Sequence, residues 1–220
     1  MAYTLPVPVI SSLFHLRWAV MTPSRFPPIQ PDWNNLGVIH RNTLPPRSHF
    51  FPFKDQKSAL TYDLKGSEFV QSLSGVWRFY HASNPFSAPD IPTGATSLNT
   101  RPREWSNITV PSMWQLQGFG TPQYTNIVYP FPVDPPNVPF DKNETGIYQR
   151  DFHLSKGIKD RFQCRLRFEG VDSSFHAWIN GKQVGYSQGS RNPSEFDISE
   201  FVVSGRNFIT VKVYQFCDAS

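Results

Sequence analysis

Apolar and polar residues alternate with a period of two over most of the second half of the chain. Phe162, Cys164, Leu166 and Phe168 fall on one side of an extended segment, and Gln163, Arg165, Arg167 and Glu169 on the other. That pattern predicts a strand with one wet face. Between His176 and Tyr186, Asn180-Gly181 separates two β-prone runs and predicts a tight hairpin. Residues 208–216 form a further strand in which Ile209, Val211 and Val213 alternate with Phe208, Thr210 and Tyr214, so both of its faces need cover. Upstream, residues 72–80 and 107–111 read as strands on either side of a Pro- and Ser-rich loop at 84–103. The stretch 129–140 holds too many prolines to be regular. No segment repeats at a fixed period, which argues against a solenoid or propeller.

Before the strands lies an extended arm, residues 24–58, carrying Pro27, Pro28, Pro31, Pro45, Pro46 and Pro52. Proline fixes φ and lacks an N–H, so neither a helix nor a sheet interior forms there. Trp33, Phe50, Phe51 and Phe53 give the arm enough apolar surface that it is expected to dock. Residues 1–23 are expected to be a disordered extension, and 59–220 one domain. The chain has 19 Phe, 8 Tyr and 6 Trp beside 21 Pro and 13 Gly. Many short strands with frequent turns suit that composition, and the expected fold class is an all-β sandwich.

The net charge of +4 changes little. Arg101, Arg103, Lys156, Lys159, Arg161, Arg165 and Arg167 are scattered rather than striped, which argues against nucleic acid as a partner. No apolar run is long enough to cross a bilayer as a helix. The first twenty residues lack a basic start, and His15 and Arg17 interrupt them, so they make a poor secretory leader. The cytoplasm is the expected location, although Asn107-Ile-Thr109 and Asn143-Glu-Thr145 are glycosylation sequons. Cys164 and Cys217 fit no metal spacing and are expected as buried free thiols.

Glycoside hydrolysis needs two carboxyl groups facing one sugar. Glu195 and Asp197, two apart on a strand, would share a face roughly 6.5–7 Å apart. The residues around them, Ser-Glu-Phe-Asp-Ile-Ser, read instead as a turn entering a strand, with the carboxylates capping it or pairing with Arg191. The six histidines (His15, His40, His49, His81, His153, His176) show no metal-binding spacing. No nucleophile elbow, phosphate loop or dinucleotide fingerprint is present.

Longer strings carry a resemblance. Trp33-Asn-Asn-Leu-Gly-Val38 with Pro45-Pro46, Leu73-Ser-Gly-Val-Trp-Arg-Phe79, Val110-Pro-Ser-Met-Trp-Gln115 and Tyr124-Thr-Asn-Ile-Val-Tyr-Pro130 resemble, in order and spacing, the opening of glycoside hydrolase family 2 enzymes. Phe168-Glu-Gly-Val-Asp-Ser-Ser-Phe-His-Ala-Trp-Ile-Asn-Gly181, Val184-Gly-Tyr-Ser-Gln188 and Arg191-Asn-Pro-Ser-Glu-Phe-Asp-Ile198 continue it. The Trp-Asn-Asn arm and the Tyr-Thr-Asn string are similar to the large β-galactosidase branch.

The resemblance implies a galactose-binding-like jelly-roll β-sandwich behind an N-terminal arm. It implies hydrolysis of terminal β-D-galactose residues, as in lactose, by catalytic glutamates of a TIM barrel beyond this chain, and no catalytic residue within it. Asn126 is similar to an asparagine that reaches the sugar pocket. Asp218 is similar to an aspartate that contacts galactosyl hydroxyls and holds Na+, a pairing of roles a carboxylate can serve. Na+ and Mg2+ are implied as cofactors of the complete enzyme, and Asp32 and Asn35 of the arm would touch a structural divalent ion. A homo-oligomer, bridged by the arm, is implied for the complete enzyme. The resemblance also places the chain's end just before a closing strand, so residues 208–216 are expected to present an unpaired apolar edge. A stand-alone lectin-like module and a structural subunit of a split enzyme remain as alternatives.

Overall fold

The computed structural model of the protein describes residues 30–91, 105–124, 126 and 128–220. The expected extension at 1–23, together with Arg101 and Arg103, lies outside these residues. Among them the strands are β1 (His40–Arg41), β2 (Gly75–Ala82), β3 (Ser106–Val110), β4 (Thr145–Leu154), β5 (Arg165–Phe168), β6 (Ser174–Ile179), β7 (Lys182–Gln188), β8 (Ser194–Asp197) and β9 (Gly205–Tyr214). Helix is confined to single turns, among them 3-10 turns at Asp32–Asn34 and Trp114–Gln117.

Seven strands form an antiparallel sheet in the order β1-β7-β6-β9-β4-β2-β3, and β5 pairs with β8 in a second sheet. Leu166 of β5 and Phe196 of β8 share one core with Phe79, Phe175, Ala177, Ile179, Ile209, Val211 and Val213 from the larger sheet. This is the all-β sandwich that the alternation predicts. The β6–β7 hairpin turns at Asn180 and Gly181, whose φ angles of 51° and 74° are the paired positive values a two-residue primed turn requires.

Two expectations fail here. The strand β9 is not an edge. It pairs with β4 along Gly205–Tyr214 and with β6 along Ile209–Tyr214, so its backbone groups are engaged on both sides and both faces are covered. The edges of the larger sheet are β1 and β3. Phe162 does not join the buried face of its segment. It caps the short helix Ile158–Arg161, is 44% exposed and meets Phe69 edge-on at 5.5 Å. The strand β5 starts only at Arg165.

The arm docks on its own domain. Its Trp33 is 2% exposed, whereas Phe50 is 59% exposed and is no anchor. Its β1 strand pairs with β7, Thr43 bridges to Phe196, and the Leu44 N–H donates to the Glu195 carbonyl at 2.8 Å. The arm therefore crosses from one sheet to the other. Of the two sequons, Asn143 is fully buried with its amide bonded to both backbone groups of Phe216 at 2.9 Å; Asn107 is exposed on β3.

Gly185 on β7 makes the β1 crossing possible. A Cβ there would collide with the Arg41 carbonyl and approach the Phe196 ring to 2.7 Å. Both obstacles are held, one by the sheet and one by the core. Gly185→Ala should therefore destabilise the fold by about 1–3 kcal/mol and free the arm. A lower thermal midpoint with new protease cleavage between residues 30 and 48 is the expected result.

Candidate functional site

Glu195 and Asp197 do sit on one face of β8, but their surroundings are structural. The Glu195 side chain is 5% exposed and receives Arg47 of the arm at 2.7 Å and Arg167 of β5 at 2.9 Å, with Arg165 at 3.5 Å. Burial by itself would raise its pKa, yet hydrogen bonds from Arg47 and Arg167 hold it below the usual glutamate range. Asp197 accepts from the Ser199 side chain and N–H and from Gln163, and its pKa is lowered for those reasons. Two carboxylates so ionised make poor proton donors. The expected partner, Arg191, is replaced by Arg47, Arg165 and Arg167.

Asp218 lies just beyond β9, where the arm, β7 and the end of the chain meet. Its N–H donates to the Trp33 carbonyl at 2.9 Å. Gln188 donates from Nε2 to its Oδ1 at 2.9 Å. The other carboxylate oxygen, Oδ2, is buried and has no hydrogen-bond partner. Burial raises the Asp218 pKa, opposed by the Gln188 bond and by the backbone N–H of Asn35. An unpaired carboxylate oxygen out of water is costly unless something positive or protic meets it. As a carboxylate oxygen it is a hard donor of the kind that suits a cation or a hydroxyl.

Asn126 is exposed, in a turn of the loop that follows the Trp114–Gln117 3-10 turn. Farther along, Tyr129 and Phe131 pack against Phe216 at 6.0 and 5.1 Å. The strand end that precedes Asp218 thus moors the loop that carries Asn126.

Asp32 and Asn35 do not fit a divalent ion. The Asp32 carboxylate accepts Arg41 Nε at 2.7 Å and Nη2 at 2.8 Å, and His176 Nε2 lies 3.1 Å from Oδ2. Burial would raise its pKa, but Arg41 and His176 bring it below the normal aspartate range. The Asn35 Oδ1 accepts the Gly37 N–H at 3.0 Å. A guanidinium already supplies the positive charge, and among the described residues no group of three or more His, Cys, Asp or Glu could hold a metal ion. His176, buried with a lowered pKa because of desolvation, also meets the Tyr214 hydroxyl at 3.1 Å. It joins the arm to the sheet. Sequence reasoning passed over Gln188 and Arg47, whose partners lie 30 and 148 residues away.

Residues 70–220 match the family model for the sugar-binding domain of glycosyl hydrolases family 2. The chain belongs to that family. It is 42% identical over 189 residues to a β-galactosidase of Psychromonas ingrahamii, which covers 86% of this chain and 18% of the relative. A β-galactosidase of Kluyveromyces lactis is 40% identical over 186 residues, 83% of this chain and 16% of the relative. The chain thus spans less than a fifth of the curated relatives it matches. Among solved structures, a β-glucuronidase of Bifidobacterium dentium aligns with a TM-score of 0.47 at 22% identity, covering 64% of this chain and 19% of that one.

The Glu195 cluster yields a stability prediction. Glu195→Gln leaves three guanidinium groups facing a neutral amide and should cost about 3 kcal/mol. Because the folded-state pKa is depressed, the carboxylate's contribution is complete above the ordinary glutamate pKa of about 4.3 and disappears as pH falls through the lower folded value. Urea unfolding of wild type should weaken on acidification in that range, and Glu195→Gln should flatten the slope.

Proposed function

We propose that this chain is the N-terminal sugar-binding region of a β-galactosidase that hydrolyses terminal non-reducing β-D-galactose residues, lactose among them. The observation that carries the reading is Asp218, a partly buried carboxylate with one oxygen fixed by Gln188 and the other unpaired, in a chain whose relatives bear that enzyme's name. Its catalytic glutamates belong to a TIM barrel outside these residues. Here Asp218 accepts a galactosyl hydroxyl and supplies an anionic ligand to Na+, and Asn126 offers a neutral amide to a second hydroxyl. Bound Na+ contributes a fixed positive charge beside the sugar. The orphaned oxygen is ready for such partners without reorganisation, which favours bonds that tighten as charge develops. The complete enzyme would be a cytoplasmic homo-oligomer.

Four outcomes test this. The 220-residue chain alone should not hydrolyse an aryl β-galactoside. Joined to a family catalytic domain, it should restore sodium-dependent turnover. In that enzyme Asp218→Asn should lower kcat/KM by about a hundredfold and blunt the sodium response. Asn126→Ala should chiefly raise KM, by about three- to tenfold, the worth of one neutral hydrogen bond. Full activity and sodium response in Asp218→Asn would refute the assignment.

A further inference from the structure

Asp218 is short of partners on one side and tightly held on the other. Tyr186 and Gln188, two apart on β7, project to the same side of the strand. The Tyr186 O–H donates to Gln188 Oε1 at 2.6 Å, and Gln188 Nε2 donates to Asp218 Oδ1 at 2.9 Å. Tyr186 is fully buried, and desolvation pushes its pKa up, so its hydroxyl stays protonated and acts here as the donor. That fixes the flip state of the amide. Gln188 must turn its oxygen to Tyr186 and its NH2 to Asp218. Behind them, the Trp33 carbonyl holds the Asp218 N–H, and the Asn35 N–H faces the carboxylate. One oxygen and the backbone of Asp218 are therefore clamped, and Oδ2 alone is left over.

We infer that Gln188, locked by Tyr186 and braced by the Trp33–Asn35 turn of the arm, is the positioning residue that aims Asp218 Oδ2 at its ligand. The inference rests on the proposed role of Asp218. It gives the arm a part in the site's geometry as well as in the fold. Partners of this kind, one shell behind a ligand, change metal affinity by about 10–100-fold when removed.

The test uses the chain joined to a family catalytic domain, with two readouts: sodium binding from broadening of the sodium-23 resonance, and galactoside kinetics. Gln188→Leu removes the clamp, and Tyr186→Phe removes only the hydroxyl that orients it while keeping the ring in the core. Both should weaken sodium binding about tenfold or more and lower kcat more than they raise KM, at a thermal midpoint close to wild type. Trp33→Ala should give the same signature with an added loss of stability. Unchanged sodium binding in both Gln188→Leu and Tyr186→Phe, while Asp218→Asn abolishes it, overturns the positioning role and leaves the reading of Asp218 standing. Unchanged sodium binding in Asp218→Asn overturns both.

Discussion

Trp33 is buried where three parts of the chain that are distant in sequence come together. Its ring lies 4.9 Å from Phe140 and 5.8 Å from Tyr214, in a cluster with Phe131, Val138, Tyr186, Phe216 and Cys217. A buried indole removes a large apolar area from water, and this one does so for the arm, for the proline-rich loop 129–140 and for the strand end leading into Asp218. Neither the arm, whose β1 strand pairs over two residues, nor the proline-rich loop has a ladder long enough to order it by itself. Asn34, beside it, is also buried and uses Oδ1 to take the Val138 N–H at 2.7 Å. Hydrophobic burial supplies the drive, and the single amide contact sets the register.

Charge fixes the arm at two further points. Near its start, Arg41, Asp32 and His176 form a short chain that reaches the Tyr214 hydroxyl on β9. At its far end, Arg47 reaches Glu195 on the smaller sheet. A carboxylate as buried as Glu195 would be a liability if its partners were removed; with Arg47 and Arg167 in place it links the arm, β5 and β8. The apolar cluster lies between these two ionic anchors, so the arm is held along its length rather than at one point. The stretch Asp32–Arg47 is part of the sandwich that it precedes in sequence.

Much of this was legible from local pattern. Alternation located β5 and β9, and Asn180-Gly181 located the β6–β7 hairpin, because strand faces and primed turns are set by neighbouring residues. The position of β9 was not legible. Strand order is a property of pairings over 30 to 69 residues, such as Ile179 with Ile209 and Thr145 with Tyr214, and no local signal distinguishes a last strand that ends a sheet from one that fills its centre. Phe50 misled for a related reason: an aromatic in a proline-rich arm marks apolar surface, but only the partner decides whether it is covered. Instead of docking in the core, Phe50 lies under the Arg47 guanidinium, 4.3 Å from the ring centroid. The structural role of Glu195 could be read from its flanking residues, whereas its true partner, 148 residues upstream, could not. Asp218 was singled out only through its motif. Its free oxygen is a matter of geometry.

The contrast between Asp32 and Asp218 shows how the fold divides its acidic groups. Both belong to the same corner, and both are partly withdrawn from water. Asp32 has both oxygens met by the Arg41 guanidinium and is held ionised. Asp218 has one amide, a nearby N–H and no cation, and burial raises its pKa. A group left in that state costs stability. Beside it, Trp33, Tyr186, Phe216 and Cys217 bury apolar surface against one another. The two aspartates thus differ in what meets them: Asp32 is closed off by its partners inside the fold, whereas under the proposed role the unpartnered Oδ2 of Asp218 is the atom a ligand would meet.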